Sequence, residues 1–246
     1  YRLNVQGAIV ALGTPAARIV FTTDEPAAFE PDTSHDGAWN GVRFIETSAL
    51  SPPSQLVCCD FEYSKALAGD HTPYAWGGGA LLVVGFSKLP AERCDCRRNA
   101  ADQGGAICLY RGADILIANT LIHDNDALGN AGALYCAYSY PSLINNTIVQ
   151  NRVHNADEPF IDTCGVLSFI SKPRIANCIL RDTQPEVVYL HSELWNAKPF
   201  HLRCNNVPGY AGAGGNISAN PRFLDPGEWD FRVASTSPCV DAGDLT

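Results

Sequence analysis

The sequence predicts an all-β parallel solenoid, a β-helix of stacked strand-and-turn coils. Three observations carry this: a short strand motif recurs five times, a second Gly-led strand motif recurs between its copies, and Asn, Asp and Gly punctuate both. A fixed motif at an irregular spacing of a few tens of residues is the signature of a repeat architecture, in which each unit buries its apolar face only against its neighbours.

The first motif reads Cys59-Asp-Phe-Glu-Tyr-Ser64, Cys94-Asp-Cys-Arg-Arg-Asn99, Asn119-Thr-Leu-Ile-His-Asp124, Asn146-Thr-Ile-Val-Gln-Asn151 and Asn177-Cys-Ile-Leu-Arg-Asp182. Its starts are 35, 25, 27 and 31 residues apart, as expected of equivalent strands joined by loops of unequal length. The second motif is Gly79-Ala-Leu-Leu-Val83, Gly105-Ala-Ile-Cys-Leu109, Gly132-Ala-Leu-Tyr-Cys136 and Gly165-Val-Leu-Ser-Phe169. Each copy begins where the backbone must turn or pack closely, then runs apolar and β-favouring. Asn99, Asp124, Asn151 and Asp182 are read as turn residues, since Asn and Asp tolerate left-handed backbone and bond their own main chain. Stacked amides at such positions can also build a ladder along the axis.

Ten cysteines are spread along the chain rather than clustered, and most are read as compact fillers of a narrow core. The net charge of −9 disfavours nucleic acid and anionic lipid, which need a concentrated positive face. No stretch is long and apolar enough for a membrane helix. The chain contains no Met and opens on alternating Leu3 and Val5, so the reading expects a piece of a longer polypeptide that continues upstream.

The stretches Leu12-Gly-Thr-Pro15, Arg18-Ile-Val-Phe-Thr22 and Trp39-Asn-Gly-Val-Arg-Phe44 resemble the opening coils of right-handed parallel β-helices of the pectate-lyase-like superfamily, in particular its bacterial secreted and surface members. Asn220-Pro-Arg-Phe-Leu-Asp-Pro226, Trp229-Asp-Phe-Arg-Val233 and Ser237-Pro-Cys-Val-Asp-Ala-Gly-Asp244 resemble their closing segment. The resemblance implies a right-handed coil over residues 1–203 and a C-terminal cap over 204–246 of the same domain. It also implies a secreted or cell-surface setting, with an anchoring module downstream. In the cap, Phe223, Leu224, Trp229, Phe231 and Val233 would cover the last coil and the prolines would stop further pairing.

Aligned on the motif, Tyr63, Arg98, His123, Gln150 and Arg181 fall in one column. Neighbouring coils lie about 4.8 Å apart, so such a column can hold an extended glycan, with Arg donating in pairs and Tyr stacking on sugar. The expected function is therefore a structural or glycan-binding module with polysaccharide as its partner and no resident cofactor. The alternative is a polysaccharide lyase or glycoside hydrolase acting on an acidic polymer. A lyase would draw a base from Arg97, Arg98 or His123, with Lys65 nearby, and calcium ligands from Asp124 and Asp126. Outward positions on any solenoid are polar, however, and no paired-aspartate or Gly-His-Gly signature of the superfamily's enzymes is present. The insertions at Ala66–Gly78 and Asn155–Cys164 are expected either to wall a cleft or to protrude.

Overall fold

A computed structural model describes residues 1–67, 74–154, 163–181, 186–191 and 201–244. Asp182 and much of the two insertions lie outside them. The protein is an all-β parallel solenoid whose chain visits four faces in turn. The first sheet stacks Leu3–Asn4, Val42–Phe44, Leu81–Val84, Ile107–Tyr110, Leu134–Ala137, Thr163–Phe169 and Glu186–His191. The second stacks Val10–Leu12, Gln55–Val57, Pro90–Glu92, Leu116–Ala118, Ser142–Ile144, Arg174–Ala176 and His201–Arg203. Ile19–Phe21, Cys59–Glu62, Asp95–Arg97, Leu121–His123, Thr147–Val149 and Ile179–Arg181 form the third. A fourth, of Lys65–Ala66, Ala100–Gln103, Asp126–Asn130 and Arg152–Val153, completes the middle coils.

Period-2 alternation decides which side chains enter the core. In the third sheet Phe61, Cys96, Ile122, Ile148 and Leu180 are in register and buried. In the first sheet Val42, Leu81, Ile107, Leu134 and Val166 do the same. Stacking like on like fills a narrow interior without long side chains, which is why small Cys96 and Cys136 serve as core residues beside Ile and Leu.

The corners are closed by ladders of polar side chains. Asn99 donates through Nδ2 to the Phe61 carbonyl and to Oδ1 of Asn125, which in turn donates to Oδ1 of Asn151 at 2.9 Å. Ser64 ends this ladder by donating through its backbone N–H to Asn99. A second ladder runs along the other edge of the third sheet, where the backbone N–H of Cys94, Thr120, Asn146, Cys178 and Asn205 each bonds the side chain one coil on. Its last rung is Asn216, so the C-terminal segment begins by extending the stack. Among the described side chains nine cysteines are free thiols and seven of these are buried, with Cys59, Cys94 and Cys178 donating to backbone carbonyls as rungs.

These rungs correct the predicted register. Asp95 opposes Leu121, and Thr147 opposes Ile179, so the copies beginning at Asn119 and Asn177 are each displaced by one residue. The ladder positions are Thr120 and Cys178 at one edge and Asn125 at the other, not Asn119, Asn177 and Asp124. Gly165 is displaced likewise, because Val166 and not Leu167 opposes Leu134. The slipped copies at Asn119 and Asn177 have Asn at the turn position and Thr120 or Cys178 as the rung beside it, a difference the motif does not distinguish.

Glycines are needed where coils touch. A Cβ on Gly105 would lie 2.4 Å from the Gly132 carbonyl oxygen and 2.5 Å from that of Asp126. After the second ladder the C-terminal chain turns back as an antiparallel hairpin, Phe223–Asp225 with Asp230–Val233, and lies on the outer face of the third sheet.

Candidate functional site

With the register corrected, two adjacent columns run along the third sheet. Glu62, Arg97, His123, Val149 and Arg181 are strand residues facing outward. Tyr63, Arg98, Asp124 and Gln150 follow at the corner, all with φ between 49° and 56°. The predicted column of Tyr63, Arg98, His123, Gln150 and Arg181 is thus split, and His123 and Arg181 belong one residue earlier. The corner before the third sheet places Asn119, Asn145 and Asn177 at its left-handed positions, residues that accept that geometry readily. Tyr63, Arg98 and Gln150 gain no such ease, and a left-handed L-residue costs about 1–2 kcal/mol. Their side chains are placed outward at some expense to the backbone.

The outer strand positions carry an ion-pair network. Arg97 binds Glu62 at 2.7 Å and Asp95 at 3.0 Å and approaches Asp60, which Arg18 also pairs. Burial works against the Arg97 charge, and the surrounding carboxylates outweigh it, holding the guanidinium still more firmly protonated. His123 lies between Asp124 on Nδ1, at 2.9 Å, and Asp95 on Nε2, at 3.2 Å. Its burial favours the neutral ring, but the two carboxylates prevail and its pKa is raised. Trp229 and Phe231 of the hairpin cover the imidazole at 5.6 and 5.2 Å, leaving the side chain 1% exposed. Of the lyase candidates, then, Arg97 is held by carboxylates and His123 is roofed over. Lys65 is buried as well, donating to the Glu30 and Ser34 carbonyls at 2.6 and 2.7 Å and pairing with Asp32.

Lys65 thereby ties down the segment around the short 3-10 turn Pro26–Ala28, and this segment walls a cleft of about 410 Å³. Phe29 and Pro31 line one side, with Tyr63, Arg98, Asp124, Asp126 and Arg152 opposite. Phe29 meets the Tyr63 ring edge-on at 5.6 Å. The Arg98 guanidinium lies 4.2 Å from the Trp229 ring and 5.5 Å from that of Tyr63, whose hydroxyl accepts from it. Arg98 makes none of the ion pairs formed among the described residues, so its charge faces the cleft. Gln150 donates to the Pro226 carbonyl at 3.2 Å, and Arg181 to that of Ala219, so both hold the C-terminal segment rather than lining the cleft.

Asp124 and Asp126, the candidate calcium ligands, are both engaged by basic side chains. Asp126 takes Arg152 at 2.9 Å and His154 at 2.6 Å, while Asp124 takes His123 and Arg152. Among the described residues no cluster of His, Cys, Asp and Glu has the arrangement of a metal site. Residue-level reading missed Arg152, Phe29 and Trp229; the first two carry no repeat signal, and Trp229 stands as a cap residue in the sequence.

Comparison of the chain with family models, curated proteins and solved structures returns no match, so the site is read from its own chemistry.

Proposed function

We propose that the chain is a secreted or cell-surface β-helical module of the pectate-lyase-like kind that binds a glycan in the cleft beside Arg98. The observation that carries this reading is the Arg98 guanidinium, 4.2 Å from the Trp229 ring, bonded to the Tyr63 hydroxyl and outside every ion pair of the network. Such an arrangement presents donors in a fixed plane beside apolar ring faces, which suits a sugar with hydroxyls at its rim and C–H groups on its faces. Arg152, half-exposed at the cleft, would donate to sugar hydroxyls, and Asp124, the less buried of the two carboxylates, would accept from them. Lining charges of both signs favour recognition through hydroxyls over capture of a polyanion.

A cleaving role for the same region has less support. His123 lacks access to a substrate proton, Arg97 is saturated by carboxylates, and the donor set does not suit calcium. Affinity electrophoresis through gels containing neutral and acidic polysaccharides tests the proposal, alongside assay of new reducing ends and unsaturated products. The expected result is retardation by one polymer, weakened about tenfold by Tyr63→Ala, with no product formed. Product formation from any polymer would replace the binding module with an enzyme.

A further inference from the structure

A second row of aromatic rings stands at the corner between the first and second sheets, apart from the cleft at the corner between the third and fourth. Tyr110 and Phe169 end first-sheet strands in register through Ala137, and Tyr138 follows Ala137 at the corner, so three successive coils each contribute one ring. The Tyr110 and Tyr138 centroids are 6.0 Å apart and those of Tyr138 and Phe169 5.9 Å, with ring planes at 85° and 77°. Tyr74 and Trp76 continue the row at 5.3 and 6.1 Å from Tyr110. Each edge-to-face contact takes one face of one ring, and the exposed Tyr138 ring keeps surface open to solvent. Tyr138 remains 43% exposed, unusual for so large a ring within an aromatic cluster.

Arg111, exposed at the same corner, lies 5.1 Å from the Tyr110 ring and 5.9 Å from that of Tyr74, to whose hydroxyl it donates at 3.0 Å. Arg111 and Tyr138 share the left-handed corner position, at φ 54° and 52°, which again turns large side chains outward.

We propose that this row is a glycan-binding platform that takes a neutral linear polysaccharide laid along the solenoid axis. A regular polymer running that way meets a ring at each coil, and each coil advances about 4.8 Å. Tyrosines supply rigid faces for sugar C–H groups and hydroxyls for sugar oxygens at little entropic cost. The row's single guanidinium is already engaged by Tyr74 and two rings, and the chain carries a net charge of −9, so a polyanion is disfavoured. The platform does not depend on the cleft reading, and either site can exist without the other.

The test is affinity electrophoresis through hydroxyethyl cellulose, xylan and galactomannan, with alginate as the polyanion control. A cleft-deficient chain, Tyr63→Ala with Arg98→Gln, is the starting background, so that retention reports the row alone. This chain is expected to be retarded by at least one neutral polymer. Adding Tyr110→Ala and Tyr138→Ala should weaken that binding by at least about tenfold, whereas Tyr138→Phe, which keeps the ring, should preserve most of it. Tyr138→Ala alone, at an exposed position, serves if the double change impairs folding. Loss of all retention in the cleft-deficient background, retention that survives removal of the rings, or retardation by alginate alone would each overturn the platform. So would a concentration-dependent dimer dissolved by Tyr138→Ala without polymer, which would assign the row to contact between copies.

Discussion

Replacing Asn125 by Ala removes the central rung of the buried amide ladder. The Asn125 side chain accepts from the Asn99 backbone N–H at 3.1 Å and donates to the Cys96 carbonyl at 2.9 Å, with further bonds to the amides above and below. Asn125 is 0% exposed, so water does not reach the site to replace those bonds. Orphaning a buried backbone donor or acceptor costs roughly 1–3 kcal/mol, and two such groups give about 4 kcal/mol. For a chain of this size that corresponds to a fall of about 8–16 °C in Tm. Urea unfolding of wild type and variant measures the difference. Arg174→Ala, at an exposed second-sheet position, is the control and should fall within about 0.5 kcal/mol of wild type. Equal effects from the two substitutions would refute the view that the ladder, rather than apolar stacking alone, holds the coils in register.

Gly105→Ala should destabilise by about 3 kcal/mol or more in the same unfolding assay, because the atoms it meets are backbone carbonyls with nowhere to move; a variant of native stability would show that the coils can spread. His123 has a raised pKa in the folded chain against 6.5 when unperturbed, so its contribution is complete below about pH 6.5 and disappears as pH rises through the folded value. Unfolding midpoints of wild type and His123→Gln measured from pH 5 to 9 should therefore converge as pH rises, and parallel curves would contradict the assignment. Burial pushes the Cys136 and Cys178 thiols up to about 12, so mass spectrometry after brief alkylation at pH 8 should find half-exposed Cys204 and Cys239 modified first.

The solenoid was legible because its coils repeat the same short chemistry: an apolar inward residue, a small polar rung and a left-handed corner. What the motif did not resolve was the position of the rung within a run of similar residues. Asn suits both the corner, where it tolerates positive φ, and the ladder, where its amide reaches the next coil, so Asn119 beside Thr120 reads equally well one residue out. A physical criterion was available at the other edge. A fully buried rung between two amides admits Asn125 and not the charged Asp124, since an ionised carboxylate there would lack compensation. Applied to the motif, that criterion moves His123 out of the Arg98 column.

The site was less legible than the scaffold because its walls come from segments without repeats. Phe29 arrives from the N-terminal turn and is secured by Lys65, and Trp229, which backs Arg98 without lining the cleft, arrives from the hairpin, roughly 130 residues beyond Arg98 in the chain. The aromatic groups of the C-terminal segment were expected over the end of the stack. Trp229 and Phe231 instead lie against His123 on the flank of the third sheet, while the end of the ladder is made by Asn205 and Asn216. Apolar content in such a segment shows that something is covered, and only the folded chain shows which face.

Calorimetric titration of an oligosaccharide, cut from whichever polymer retards the wild-type chain, into wild type and Arg98→Gln bears most directly on the cleft. The guanidinium held between Tyr63 and Trp229 predicts saturable binding that weakens about tenfold or more in the variant, with the unfolding midpoint unchanged. Equal affinity in the two chains would contradict the central claim and remove the cleft from the account of what this protein binds.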